Sequence, residues 1–136
     1  MTARILTRSP DWLPQALKFL VVGALNTLVD AILYLCLTRW TGFFPTNQAV
    51  AKAISYSAGV LNSFIWNKTW TFHSSASLLA TFLPFVLANL AGVAINAGIM
   101  YLCLNGLSLP EAVAFILATG ATLVWNFTIS KFIVFK

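Results

Sequence analysis

The chain is 136 residues long and carries a formal net charge of +5, yet only 8% of its residues are charged and 60% are hydrophobic. Soluble domains carry about 25% charged residues, and a helix needs about 20 mostly apolar residues to cross a bilayer. The composition excludes a soluble catalytic domain and predicts an all-α integral membrane protein, with four transmembrane helices arranged as two tandem helical hairpins.

Residues 1–14, which include Arg4, Arg8, Pro10 and Asp11, read as a polar cytoplasmic lead-in, and residues 15–136 as the transmembrane domain. The lead-in lacks the apolar core and small-residue cleavage site of a removable signal peptide. The first helix is predicted from Pro14, tolerated in an opening turn, to Thr38, with Trp40 and Gly42 ending it. The second starts after Pro45, with Thr46 or Asn47 as N-cap, and runs to Trp66. The third lies between Ser77 and the pair Asn105-Gly106, which suits a C-cap; Pro84 falls in its first turn or kinks it. Ser108 and Glu111 have the spacing of a capping box and open the fourth helix, which ends near Lys131.

Basic residues set the expected orientation. Arg4, Arg8, Lys18, Lys68, Lys131 and Lys136 fall on one side, with Arg39 on the other and Lys52 inside the second helix. The positive-inside rule then places both termini and the middle loop in the cytoplasm, in a multi-pass protein of the cell inner membrane. Aromatic residues mark the two interfaces: Trp12, Trp66, Trp70, Phe72, Trp125, Phe132 and Phe135 within, and Trp40, Phe43 and Phe44 outside. Basic side chains at helix ends suit anionic lipid headgroups rather than nucleic acid.

Tyr34-Leu35-Cys36-Leu37 recurs as Tyr101-Leu102-Cys103-Leu104, and Lys68 and Phe72 align with Lys131 and Phe135. A duplicated helical pair explains both matches, and two-helix units repeat with the same orientation in the membrane. Each helix also carries a polar stripe at three- and four-residue spacing. The stripes are Gly23, Asn26, Asp30 and Tyr34; then Lys52, Tyr56, Gly59, Asn62 and Trp66, flanked by Ser55 and Ser63; then Asn89, Gly92 and Asn96; then Thr119, Thr122, Asn126 and Ser130. Such stripes serve either as packing surfaces or as the lining of a polar path.

A carboxylate within a membrane helix costs at least about 2.5 kcal/mol and marks a pathway, a relay or a paired site. Asp30 is about 12 Å from the outer helix end at 1.5 Å per residue, and Lys52 on the neighbouring helix is its expected partner, in a structural or a gating role. Lys68 and Lys131 are either snorkelling anchors or anion sites for a lipid phosphate. Cys36, Cys103 and His73 have no ligand-like spacing, so neither a metal nor a cofactor is expected. Nor is a catalytic centre, because nucleophile–base pairs and phosphate-binding glycine loops are missing from the sequence.

Phe19-Leu20-Val21-Val22-Gly23-Ala24-Leu25-Asn26-Thr27 with Asp30, then Asn67-Lys68-Thr69-Trp70-Thr71-Phe72, then Asn126-Phe127 with Lys131 and Phe135, resemble the GtrA-like family from about Lys18 to Lys136. Asn62-Ser63-Phe64 and Ser130 depart mildly from the family pattern. The resemblance implies a four-helix inner-membrane component of polysaccharide modification, moving a polyprenyl-phosphate-linked sugar between leaflets for a separate membrane glycosyltransferase. On that expectation Asn26, Asp30, Lys52, Tyr56, Asn62, Asn67, Lys68, Asn89, Asn96, Asn126 and Lys131 contact the substrate, and a homo-oligomer supplies enough wall around it. Two other readings stay open: a small multidrug-resistance-like proton-coupled exporter, and a non-transporting subunit that anchors a glycosyltransferase.

Overall fold

The computed structural model describes residues 11–42 and 46–136. Arg4, Arg8 and Pro10 of the lead-in and Phe43, Phe44 and Pro45 ahead of the second helix lie outside the described residues. The described residues form four α-helices and no strand: α1 (Trp12–Trp40), α2 (Gln48–Trp66), α3 (Leu78–Tyr101) and α4 (Glu111–Ile129). Three of them are followed directly by five-residue π-helical turns: Asn67–Thr71 after α2, Leu102–Gly106 after α3 and Ser130–Val134 after α4. The chain divides into two compact units, Met1–Phe72 and His73–Lys136. Within the first, α1 packs on α2; within the second, α3 packs on α4. These are the two tandem hairpins expected from the sequence.

Three helical stretches are long and apolar enough to cross a membrane: Trp12–Trp40, Leu78–Gly106 and Glu111–Val134. α2 is not among them, because Lys52, Tyr56, Asn62 and three serines dilute its apolar residues. Large apolar side chains are spread over the outside of every helix, with Ile32, Leu79, Leu83, Ile116 and Val124 at 60% exposure or more. A water-soluble protein would bury such side chains, whereas lipid tails are as apolar as leucine and leave no such drive. The buried faces of the paired helices are instead rich in small residues, Ala51, Ser55 and Gly59 in the first unit and Ala88, Gly92, Ala114 and Ala118 in the second, with Val22, Phe64 and Phe85 as the larger buried side chains.

Helix ends depart from the expected capping. Asn47 is the residue before α2, but its side chain bonds Thr46 Oγ1 at 3.2 Å; the backbone carbonyl of Asn47 starts the helix by accepting from Val50 and Ala51. Ser77 does cap α3, its Oγ accepting from Ala80 N at 3.2 Å. Pro84 is inside α3, beyond the first turn, where its missing N–H removes the usual donor to the Ala80 carbonyl.

The expected Ser108–Glu111 capping box does not form. Ser108 has φ 50°, the residue before α4 is Pro110, and Glu111 is the first helical residue. The cause lies in the π turn upstream. Leu107 N bonds Leu102 O and Leu109 N bonds Cys103 O, and this wide closure turns the chain through Ser108. Asn105-Gly106 therefore lies inside the π turn, with no positive φ at the glycine. His73, also two residues past a π turn, has φ 48°.

Candidate functional site

Near the middle of α1, Asn26, Asp30 and Tyr34 of the expected stripe face α2, whereas a Cβ on Gly23 would meet nothing within 4 Å. Asp30 accepts at both oxygens: Lys52 Nζ donates to Oδ2 at 2.6 Å, and Ser55 Oγ donates to Oδ1 at 2.6 Å. The Lys52 ammonium also stands 5.8 Å from the centre of the Tyr34 ring, a cation–π distance. The pair expected from the sequence is thus formed, with Ser55 as an additional partner. The Lys52 side chain remains 56% exposed and that of Asp30 19%.

One turn along, the helices touch through Asn26 and Gly59. A Cβ at position 59 would collide with Asn26 Oδ1 and come within 3.3 Å of the Asn26 carbonyl. The second unit uses the same device in reverse order along the chain: a Cβ on Gly92 of α3 would be 2.6 Å from Asn126 Oδ1 of α4. Both amide oxygens are buried without a conventional hydrogen-bond partner. Their seat over a glycine backbone suits the weak Cα–H···O contacts of close helix crossings. Asn96 Nδ2 donates to Thr122 Oγ1 at 3.3 Å across the same pair of helices. Trp125 Nε1 donates to the Ala88 carbonyl at 3.1 Å. The position of Trp125 near a helix end predicts an interfacial belt residue, and nothing in spacing shows where its indole N–H points.

Two of the expected site residues stand apart. Tyr56 is 41% exposed, because the α2 face packed on α1 follows Ala51, Ser55 and Gly59 and turns Tyr56 away from it. Asn89 is spent on its own helix, donating to the Phe85 carbonyl at 2.9 Å.

Of the remaining expected residues, Asn62 lies on the last turns of α2, Asn67 and Lys68 in the π turn after it, and Lys131 in the π turn after α4. Asn67 is 1% exposed and Lys68 7%; Asn67 Nδ2 donates to Ser63 Oγ at 3.1 Å while its Oδ1 has no partner. Asn62 Nδ2 is likewise buried and unpartnered. Phe72 N closes the turn on the Asn67 carbonyl at 2.9 Å, and the Phe72 ring packs against Phe19 of α1 at 6.2 Å. Lys18 on α1 reaches the same turn, donating to the Trp70 carbonyl at 3.4 Å with its ammonium 5.3 Å from the Trp70 ring centre.

The π turn after α4 has the same register. Phe135 N closes on Ser130 O at 2.9 Å, and Phe135 packs against Phe85 of α3 at 5.7 Å. Lys131 lies 5.9 Å from the Phe127 ring and 5.7 Å from the Phe132 ring. The lysine-to-phenylalanine match seen in the sequence is therefore a repeated structural unit, a basic π turn closed by a packed phenylalanine. Wide turns of this kind are rare and concentrate at functional sites.

Comparison with known proteins gives one family. A family model described as "GtrA/DPMS, transmembrane domain" matches residues 18–135. A membrane protein of Bacillus subtilis, YngA, is 32% identical over 87% of this chain and 77% of its own length. The bactoprenol-linked glucose translocase of Shigella phage SfX is 30% identical over 88% of this chain and 92% of its own. The cell wall teichoic acid glycosylation protein GtcA of Listeria innocua is 26% identical over 93% of this chain and 88% of its own. With three apolar spanning-length helices, these matches make the chain a multi-pass membrane protein.

Proposed function

Because the chain belongs to the GtrA/DPMS transmembrane-domain family, we propose that it moves a polyprenyl-phosphate-linked sugar across the bacterial cytoplasmic membrane for cell-surface polysaccharide modification. The observation that carries this reading is the match to a bactoprenol-linked glucose translocase over 88% of the chain and 92% of that relative. All four helices span the membrane, with both termini and the π turns after α2 and α4 on the cytoplasmic side. The ammonium groups of Lys68 and Lys131 attract the lipid phosphate there. In the first hairpin, the buried amides of Asn62 and Asn67 offer the donor and acceptor that sugar hydroxyls require. The apolar outer surfaces meet the polyprenyl tail, as along the α4 groove of Gly120, Val124 and Thr128. A homo-oligomer encloses the headgroup, and a membrane glycosyltransferase receives it.

The engagement of both Asp30 oxygens by Lys52 and Ser55 argues against a free membrane carboxylate of the kind a proton-coupled cation exporter would use. A non-transporting subunit that positions a glycosyltransferase draws support from the relative named for teichoic acid glycosylation. Reconstitution separates these readings. In liposomes, the purified protein should bring a polyprenyl-phosphate-linked glucose from the inner to the outer leaflet faster than protein-free vesicles. Unchanged leaflet distribution, with retained binding to a glycosyltransferase, would replace transport with the anchoring role.

A further inference from the structure

Buried polar atoms without partners cost about 1–3 kcal/mol each, so a cluster of them calls for an explanation. Asn26 Oδ1 and Asn126 Oδ1 have one, since each lies over a glycine at a helix crossing. The unpartnered oxygens of Gln15, Asn67 and Thr71 do not, and all three belong to the end of the first hairpin where α1 begins and α2 finishes. Asn67 and Thr71 are each 1% exposed and bracket the π turn that carries Lys68. Gln15 precedes Lys18 by three residues, hence on the same face of α1, and Lys18 touches Trp70 of that turn.

The second hairpin repeats the turn but not this chemistry. Ser130 and Val134 occupy the positions of Asn67 and Thr71, and neither leaves an unpartnered buried oxygen. The Thr71 hydroxyl has a methyl group in its place. Register and packed phenylalanine are shared; only the first turn offers unused polar atoms.

We propose that Gln15, Lys18, Asn67, Lys68 and Thr71 form a binding site for a glycosyl phosphate, and that the second π turn, which keeps the basic Lys131, attracts phosphate without reading the sugar. This rests on the reading of the chain as a lipid-linked sugar translocase and says which end of which hairpin holds the headgroup. The two ammonium groups and the Thr71 hydroxyl donate to phosphate oxygens, charge-assisted in the case of the lysines. The amide oxygens of Asn67 and Gln15 accept from sugar hydroxyls, which a bare phosphate lacks. The site therefore selects the glycosylated over the unglycosylated carrier.

The test is equilibrium binding to the full chain in nanodiscs, with four probes: polyprenyl-phosphate-linked glucose, polyprenyl phosphate, glucose 1-phosphate and phosphatidylglycerol. Wild-type protein should bind the glucosylated lipid most tightly, and glucose 1-phosphate binding would show how much of that affinity the headgroup supplies without the tail. Thr71→Val and Lys18→Gln should each weaken the glucosylated lipid about tenfold or more, the loss of one hydrogen bond to a charged group. Lys18→Arg should recover part of the loss. Gln15→Leu should narrow the gap between glucosylated and plain carrier. Thr69→Val is the control for folding and for the turn itself, because the Thr69 hydroxyl already donates to the Ile65 carbonyl at 2.7 Å; its binding should be unchanged. Wild-type affinity in both Thr71→Val and Lys18→Gln would overturn this site and leave the translocase reading standing. Equal affinity of wild type for phosphatidylglycerol would also overturn it, as a general anionic-lipid contact. No binding of any glycosyl phosphate by wild type would remove both.

Discussion

Lys52 and Asp30 form an ion pair of 2.6 Å across the crossing of α1 and α2, with Ser55 on the second carboxylate oxygen and the Tyr34 ring beneath the ammonium. Each charge is satisfied by the other, and the Ser55 hydroxyl completes the carboxylate. The result is a polar clasp beside the small residues Ala51 and Gly59 of α2.

Removing one member should leave the other stranded. For a fully buried pair that loss is about 3–5 kcal/mol; the 56% exposure of the Lys52 side chain places it below that range. Asp30→Asn and Lys52→Met should each lower the thermal midpoint in detergent, and the double variant should regain much of it. A coupling free energy near zero in that double-mutant cycle would show that the pair does not hold the hairpin together. Normal folding of Asp30→Asn with loss of the pH dependence of transport would assign Asp30 to proton coupling instead.

The two glycine crossings should respond unequally to an added methyl group. At Gly59 the obstacle includes the Asn26 backbone carbonyl at 3.3 Å, whereas at Gly92 it is only the Asn126 side chain, which can swing aside. Overpacking costs about 1–3 kcal/mol, against a gain of up to about 1 kcal/mol from replacing a helical glycine by alanine. Gly59→Ala should therefore destabilise clearly and Gly92→Ala little. Gly120→Ala, with nothing within 4 Å of the new atom, should be neutral or stabilising. Thermal unfolding of the three variants in one detergent decides the ranking, and equal midpoints would contradict it.

Lys68→Gln and Lys131→Gln separate anchoring from phosphate attraction. Four basic residues, Arg4, Arg8, Lys18 and Lys136, remain on the same side in the double variant, so insertion should persist. Transport should fall about tenfold or more at unchanged expression, on the scale of one charge-assisted hydrogen bond. Arginine at either position should restore part of it. Normal transport by the double glutamine variant would leave these lysines with anchoring alone.

Topology is checked with a reporter active only in the cytoplasm. Fusions after Lys136 and at Ser75 should give signal, and an insertion at Gly42 should be silent. The opposite pattern would invert the orientation and move both basic π turns to the outer face.

The amino-acid sequence by itself determined the class of protein and much of the helix layout. Apolar runs of spanning length left no soluble alternative, and α2 ends at Trp66 as its composition predicts. The partnership of Asp30 with Lys52 was legible too, because a membrane carboxylate must find a cation and Lys52 was within reach. Other features depended on contacts that spacing does not encode. A helical stripe specifies a face only to within a residue or so, and the requirement that Gly59 meet Asn26 is what turned Tyr56 outward. The Ser108–Glu111 motif had the letters of a capping box, but the backbone closure from Leu102 and Cys103 placed Ser108 in a left-handed conformation incompatible with that role. Repetition of lysine and phenylalanine revealed that two turns correspond. Only the folded chain distinguished them, because whether a buried oxygen at Asn67 or Thr71 has a partner depends on every neighbour packed around it.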